Sequence, residues 1–290
     1  KGLFVTYNKD VATIYDLRFP RIIISMLAGA AIAVSGVLFQ AVLKNPLADP
    51  GILGVSSGAG FAAVVAATLF PQFYFFTPIA AFFGGLIAFF MVYFLSWKGG
   101  LSPMRIILTG VAVNSVFTGL SSVFNSMSGG DRSGVAAIVE ANITQKTWDD
   151  VMTLLPYVIA GLFLAILFTQ ECNLLSLEDK TARSLGVNVN VTRIAISLVA
   201  VLLASISTAV AGAISFLGLI VPHIGRILVG SDHKMLIPFS AFLGAFTFLL
   251  ADTIGRTIAA PNEISAAIIM SVVGGPFFIL LLRRSEKYGN

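Results

Sequence analysis

The stretch Ile22–Val42, IIISMLAGAAIAVSGVLFQAV, contains no charged residue and is almost entirely apolar. A helix needs about 20 apolar residues, at about 1.5 Å each, to cross a hydrocarbon core of about 30 Å. The stretch therefore predicts a transmembrane helix. The whole chain of 290 residues has a matching composition, with 57% hydrophobic and 11% charged residues and a mean hydropathy of +0.93. Soluble domains carry about 25% charged residues, so this composition predicts a polytopic membrane protein.

Similar apolar runs recur along the chain and predict an all-α fold. The predicted spans are Ile22–Val42, Gly51–Phe70, Pro78–Trp97, Ile106–Asn125, Val151–Gln170, Ile194–Ala213, Met235–Ile258 and Ile264–Leu282. A shorter segment, Gly218–Val229, carries Pro222, His223 and Arg226, and we expect neighbouring helices to shield it from lipid. Nine crossings are predicted in total. No linker or low-complexity stretch divides residues 1–290, which indicates a single transmembrane domain.

Basic residues predict the orientation, because cytoplasmic loops are enriched in Lys and Arg. With Lys44 on the inner side, alternate crossings also place there Lys98, Arg105, Lys180, Arg183, Arg193, Arg226, Lys234, Arg283, Arg284 and Lys287. The outer side receives Lys1, Lys9, Arg18, Arg21, Arg132, Lys146 and Arg256. Nine crossings leave the first residue outside. Because that residue is Lys1 rather than Met, we expect an upstream helix to be missing.

The chemistry-bearing residues are sparse, which argues against an enzyme. One cysteine, Cys172, excludes a disulfide framework and a thiolate metal cluster. No H-E-x-x-H or P-loop sequence occurs, and the glycine-rich stretch Gly54–Gly60 lacks the lysine of a phosphate loop. The acidic pair Asp149-Asp150 is interpreted as a helix start rather than a metal site. Neither a metal, a cofactor nor a nucleic acid is expected to bind this chain, and transport is the favoured class.

Motifs spread along the chain carry a resemblance to a known family. They are Leu17–Arg21, Asn45–Gly51, Leu53–Ala59, Asn173–Leu177, Ala182–Gly186, Gly218–Ile224, Ala251–Arg256 and Gly274–Phe278. In this order and spacing they resemble the FecCD or vitamin B12 type permeases of bacterial ABC importers for iron–siderophore, haem and cobalamin. The resemblance extends from about Leu17 to Arg284.

The resemblance implies a ten-helix bundle in the cytoplasmic membrane, with the first helix missing from this chain. It also implies the partners: a second permease in a homodimer or homologous heterodimer, two cytoplasmic ATPases that bind ATP and Mg²⁺, and an extracellular or periplasmic substrate-binding protein. The absence of a nucleotide motif in this chain agrees with that division of labour.

Three outer arginines, Arg18, Arg21 and Arg256, run against the positive-inside trend. The resemblance implies that they dock carboxylates of the binding protein, a task that suits guanidinium groups. The structural alternative pairs Arg256 with Asp252 one turn earlier and lets Arg18 and Arg21 snorkel to the lipid headgroups.

The inner loop Asn173–Asn190 is predicted to form a short amphipathic helix, capped near Ser176 and ended by Gly186. It could lie on lipid, but the resemblance implies a coupling helix seated on the ATPase. The predicted coupling residues are Leu175, Leu177, Glu178, Ala182, Arg183, Leu185 and Gly186.

A polar stripe runs along the span Ile106–Asn125. Its members, spaced to share one helix face, are Asn114, Thr118, Ser121, Ser122 and Asn125. They either make interhelical hydrogen bonds within one subunit or, as the resemblance implies, line a translocation path at the dimer axis. Ser102, Pro103 and Met104 align with the family's cytoplasmic gate, although the B12 permease has small hydroxyl residues where Pro103 and Met104 stand.

These observations favour a permease that moves an iron chelate, a siderophore or haem, by alternating access. His223 could bind haem iron, but the Pro-His pair recurs across the family and a structural role is favoured. The alternative function is an ion-coupled secondary transporter or channel without an ATPase. Such a protein would usually carry charged residues in mid-membrane, whereas this chain keeps them near the span ends.

Overall fold

The computed structural model describes residues 14–96, 103–127, 141 and 143–287. Within these ranges the regular elements are all helical. A π-helical turn, Ile14–Arg18, precedes the first helix, and a 3-10 helix, Pro71–Phe76, joins the second to the third. The α-helices are α1 Phe19–Leu43, α2 Val55–Leu69, α3 Thr77–Ser96, α4 Pro103–Met127, α5 Trp148–Leu167, α6 Thr169–Leu175, α7 Asp179–Ser184, α8 Val189–Ala211, α9 Leu217–Val229, α10 His233–Ile258 and α11 Ala266–Lys287.

Each of the nine predicted apolar segments corresponds to one of these helices. Six of the helices are long and apolar enough to cross a membrane, namely α1, α3, α4, α5, α8 and α10. The helices α2, α9 and α11 contain shorter apolar stretches. The chain is therefore a multi-pass membrane protein, as its composition predicts. The count of ten helices, including one before this sequence, stays a prediction.

Two helices form the centre of the bundle. In both α1 and α8, 78% of the most apolar window is buried inside the protein, compared with 22% in α4. Helix α1 packs against α10, α8, α9 and α5. The Ser35 hydroxyl of α1 donates to the carbonyl of Ala200 in α8, at 2.7 Å. The two central helices are thus joined by packing and by a buried hydrogen bond.

Small residues let the helices approach closely, as is common in membranes. A Cβ atom added at Gly36 of α1 would collide with the carbonyl group of Gly218 in α9, and one at Gly29 would collide with Gly244 in α10. Gly84 meets Gly58 in the same way. These glycines therefore serve as packing residues. Around Gly275 of α11, in contrast, an added Cβ would find open space.

The acidic pair Asp149-Asp150 does begin a helix, as predicted. Thr147 precedes α5, and both its backbone N–H and its hydroxyl donate to the Asp150 carboxylate, at 2.9 and 3.1 Å. The arrangement is a capping box.

Candidate functional site

The predicted outer end of the bundle contains an ion-pair cluster centred on the buried Arg21. Arg21 lies in the first turn of α1 and is 6% exposed. Its Nη2 lies 2.8 Å from Oδ1 of Asp252, and its Nε donates to the same carboxylate at 3.1 Å. Its Nη1 donates to Glu263 at 2.7 Å. Arg21 thus joins α1, α10 and the loop before α11 through charge-assisted hydrogen bonds.

The three outer arginines therefore occupy different environments. The predicted pair between Arg256 and Asp252 is confirmed, with Nε 3.4 Å from Oδ2. The alternative in which Arg21 snorkels to the headgroups is wrong, because its guanidinium is buried and paired with the carboxylates of Asp252 and Glu263. Arg18 is exposed, and the Arg256 side chain is 26% exposed. The docking of a binding protein stays a prediction, for which Arg18 and Arg256 present accessible surface while Arg21 does not.

Glu263 belongs to this cluster and was not found from the sequence. Its carboxylate accepts hydrogen bonds from Arg21 and from the Thr144 hydroxyl, the latter at 2.9 Å. Partial burial raises the pKa of Glu263, but these hydrogen bonds and the charges of Arg21 and Arg256 outweigh burial and lower it below its ordinary value. The sequence offers one indication of this role, since Glu263 is the only charged residue in the stretch Ala259–Ser265.

The predicted coupling segment Asn173–Asn190 does not form a single short helix, because it contains the end of α6, the whole of α7 and the start of α8. Ser176 does not begin a helix as predicted. It ends α6, because its N–H donates to the Asn173 carbonyl and its hydroxyl to the Cys172 carbonyl, at 3.1 and 3.2 Å. Helix α7 begins after Glu178 and ends as predicted at Gly186, which has a φ of 87°. This left-handed conformation suits glycine at a helix end.

The seven predicted coupling residues divide into two groups by exposure. Leu175 and Ala182 are each 1% exposed and anchor the segment to the bundle. Leu177 and Leu185 are 41% and 59% exposed, and Glu178, Arg183 and Gly186 are also exposed. An open groove of about 380 Å³ lies beside α7, between Arg183 and Asn190. The outward-facing group is the part of the segment that a partner can contact directly.

Polar side chains outside the predicted set attach the coupling segment to the membrane helices. Asp179 accepts hydrogen bonds from Lys44 and Arg193, at 2.8 and 2.9 Å. The hydrogen bond from Lys44 lowers the pKa of Asp179, and the charges of Arg193 and Lys44 contribute in the same direction. Asn173 donates to Asp232 at 2.7 Å and accepts the backbone N–H of His233 at 2.9 Å. Sequence reasoning missed these contacts because they join distant loops.

The polar stripe on α4 borders a small cavity. Four of its members, Asn114, Thr118, Ser121 and Ser122, line a cavity of about 160 Å³. Ser56 and Ser57 of α2 also line this cavity. They belong to the glycine-rich stretch Gly54–Gly60, which the sequence distinguishes only as lacking the lysine of a phosphate loop. Asn125 is not among the lining residues. The structure thus brings most of the stripe together with a second set of hydroxyl groups.

The stripe serines bond within their own helix. The Ser121 hydroxyl donates to the Phe117 carbonyl at 2.8 Å, and the Ser122 hydroxyl to the Thr118 carbonyl at 3.0 Å. These contacts do not match the alternative of interhelical hydrogen bonding. Thr118 and Ser122 are exposed on the least covered of the long membrane helices. Polar groups are costly against lipid, so this face is suited to water or to a second protein.

The predicted cytoplasmic gate is only partly described. Ser102 lies outside the described residues, Pro103 begins α4, and the side chain of Met104, the second residue of that helix, is 68% exposed. His223 is half-buried, and its ring lies 5.6 Å from that of Phe277 at an interplanar angle of 77°. This contact with α11 supports the structural interpretation of His223.

In the motif Asn45–Gly51, the buried carboxylate of Asp49 contacts both its own loop and helix α9. Asp49 is 0% exposed, and its Oδ1 accepts the N–H of Gly51 at 2.8 Å. Its Oδ2 lies beside Gly218, in the first turn of α9. Nearby, Gln40 donates to the Gly218 carbonyl at 3.2 Å and accepts from Arg226 at 2.6 Å. The loop after α1 thus holds the short helix α9 in place.

Within the described ranges, no group of three or more His, Cys, Asp or Glu side chains is arranged to hold a metal ion.

Comparisons with known proteins agree with this geometry. The model of the FecCD transport family matches residues 3–284. The heme-iron transport system permease protein IsdF of Staphylococcus aureus strain Newman is 41% identical over 280 residues, which cover 97% of this chain and 85% of that protein.

Two solved structures share the fold. A metal-chelate type ABC transporter in an inward-facing conformation superimposes with a TM-score of 0.79 and 28% identity, covering 97% of this chain and 91% of that one. PsaBC from Streptococcus pneumoniae, solved in complex with a Fab, gives a TM-score of 0.69 with 18% identity, covering 93% of this chain and 92% of that one. The second likeness concerns the fold alone.

Proposed function

This chain belongs to the FecCD transport family, and on that premise we propose that it is the permease subunit of an ATP-binding cassette importer. One structural observation carries the proposal. The chain has no P-loop sequence, yet two exposed leucines, Leu177 and Leu185, flank the short helix α7 on its predicted cytoplasmic side. Exposed apolar patches with a polar rim are typical of protein interfaces. We assign that interface to a separate ATPase subunit, which supplies ATP and Mg²⁺ binding.

The proposed cargo is an iron chelate, with haem as the first candidate. The name of the Staphylococcus aureus relative, a heme-iron permease at 41% identity, supports haem. The first of the solved structures, described as metal-chelate type, supports the broader class. A ferric siderophore is the second candidate. The uncharged stripe on α4 suits a bulky chelate, because it offers hydrogen bonds without a fixed charge that would retain the cargo.

The proposed assembly has two permeases, two ATPases and an external binding protein. The uncovered polar face of α4 supports a second permease at that surface, with the cargo path between the two copies. Arg18 and Arg256 support docking of acidic residues of the binding protein at the outer end. Alternating access then follows when ATPase closure displaces the coupling segment.

Transport in proteoliposomes tests the proposal. The permease is co-reconstituted with the ATPase and the binding protein encoded beside it, and uptake of haem or of a ferric siderophore is measured. We expect uptake that requires ATP and the binding protein. Uptake by the permease alone, abolished by a proton ionophore, would instead support the alternative of an ion-coupled secondary transporter.

Docking is tested by charge reversal. Arg18→Glu combined with Arg256→Glu should weaken binding-protein affinity, with a loss that shrinks as salt is added, because exposed charges are screened. Surface plasmon resonance at two ionic strengths measures this effect. Lys180→Glu, a reversal on the opposite side, is the control. Equal affinity for the double variant and the control would rule out the docking role.

A further inference from the structure

One carboxylate oxygen connects the coupling segment to two membrane helices. Asp179 is the first residue of α7. Its Oδ1 lies 2.8 Å from Nζ of Lys44, which directly follows α1, and 2.9 Å from Nη2 of Arg193, near the start of α8. The consecutive helices α7 and α8 therefore meet the end of α1, which lies 135 positions away in the chain, at a single atom.

Lys44 strengthens this connection by a second contact. Its ammonium group also donates to the carbonyl of Leu177, which precedes α7. The backbone of Lys44 is left-handed, with a φ of 49°, a conformation that residues with a Cβ rarely adopt. That turn ends α1 at the residue whose side chain reaches the coupling segment.

The two helices joined in this way are the central ones. Both α1 and α8 are buried over 78% of their most apolar windows, and they pack on each other. The buried hydrogen bond from Ser35 to Ala200 lies between them. A displacement applied at Asp179 therefore reaches the part of the bundle that contacts most of the other helices.

We propose that Asp179 is the positioning residue that transmits movement of the coupling segment to α1 and α8. The inference rests on the proposed function, because an ATPase must supply the movement. Asp179 does not need to contact the ATPase. It holds the segment against both helices, so that they move with it rather than being left behind.

If Asp179 had a purely structural role, removing its carboxylate would unfold the protein. The Asp179 side chain is 40% exposed, and that of Lys44 is 32% exposed. Ion pairs at this level of exposure add little to folding stability. Removing the carboxylate should therefore leave the protein folded and bound to its ATPase, while the link between ATP hydrolysis and transport is weakened.

The test measures ATP hydrolysis and chelate uptake in the same proteoliposomes, for the complete importer carrying Asp179→Asn. We expect uptake per ATP to fall by about 2- to 30-fold, the range seen when mutations alter coupling between sites. Asp179→Glu should restore part of the ratio. Lys180→Gln removes a neighbouring exposed charge on the same helix and is the matched control, with an unchanged ratio.

If Asp179→Asn does not fold, variants of the two residues that pair with Asp179 still test the proposal. Lys44→Gln and Arg193→Gln should each lower uptake per ATP, and Lys44→Gln combined with Asp179→Asn should lower it by less than the product of the single effects.

An unchanged ratio in Asp179→Asn and in the partner variants would overturn the inference. So would loss of the ATPase from the purified Asp179→Asn complex, because Asp179 would then belong to the docking contact itself. Failure of the unmodified permease to bind any ATPase would instead reject the proposed function, and this inference with it.

Discussion

Arg21 shows how the role of one side chain depends on its three-dimensional neighbours. The sequence places it beside Arg18 at an outer helix start, where both could face water. In the structure Asp252 and Glu263 surround it and leave it 6% exposed. A buried charge is stable only when paired and hydrogen-bonded, so Arg21 and Asp252 depend on each other.

Removing Arg21 should therefore destabilise the protein strongly. Among the described residues, Arg21→Gln leaves the buried Asp252 carboxylate paired with the more distant Arg256 alone, and we expect a loss of about 3–5 kcal/mol in the free energy of unfolding. The midpoint of thermal unfolding in detergent measures the loss. Arg18→Gln is the control, because Arg18 is exposed and such changes stay within about 0.5 kcal/mol. Equal midpoints for both variants would contradict the assignment.

Acidification should act on the same cluster through Glu263. Its pKa is lowered in the folded protein, so its contribution to stability is complete above its unfolded pKa and is lost as the pH falls through the folded value. Glu263→Gln should remove that part of the acid dependence, which unfolding midpoints between about pH 3 and pH 7 would show.

At the scale of helices, close approach between backbones decides the packing. Gly36 of α1 has no room for a Cβ, because the Gly218 carbonyl of α9 lies against it. Gly275, in contrast, has open space around it. In the sequence, Gly36 and Gly275 are both glycines within apolar runs, and nothing in the sequence distinguishes them.

Substitution by alanine should separate these two glycines. Gly36→Ala forces α1 away from the Gly218 carbonyl, and we expect overpacking to cost about 1–3 kcal/mol. Gly275→Ala should be neutral or stabilising by up to about 1 kcal/mol, since alanine favours the helix. Thermal unfolding of the two variants side by side checks this. Destabilisation by Gly275→Ala of the same size as by Gly36→Ala would show that the packing difference is absent.

The coupling segment contains both anchoring and outward-facing leucines. Leu185→Glu should abolish co-purification with the ATPase but preserve the folded permease, because Leu185 is 59% exposed. Leu175→Ala should lower the free energy of unfolding by about 2–5 kcal/mol, because Leu175 is 1% exposed. A pull-down and a melting curve for each variant provide the two measurements. Retention of the ATPase by Leu185→Glu would place the interface elsewhere.

At the scale of the whole molecule, the uneven burial of the long helices indicates where the assembly continues. Helix α4 is 22% buried over its apolar window, and polar side chains lie on its uncovered surface. Helix α5 also exposes large side chains, but these are apolar, such as Phe163 at 60%. Lipid suits the surface of α5, whereas the α4 stripe requires a wetter environment.

Thiol labelling tests this difference. Thr118→Cys should react with a membrane-impermeant maleimide in proteoliposomes, because we expect water at the stripe. Phe163→Cys, exposed to hydrocarbon, should not react. The native Cys172 is buried and provides a low background. Protection of Thr118→Cys in every transport state would contradict a water-filled path along α4.

The sequence alone determined the solvent in which this protein folds, the all-helical architecture and the positions of nine apolar segments. These properties follow from composition and from local runs, and a hydrocarbon core of fixed thickness imposes them. The motifs likewise identified the family.

Only the tertiary structure decided which charges are paired and which predicted residues face outward. Arg21 and Asp252 are 231 positions apart, and Asp179 meets Lys44 from 135 positions away. Local periodicity predicts neither contact, because ion pairs of this kind depend on how helices far apart in the chain are packed. The division of the coupling segment into anchors and contact residues arises from the same packing.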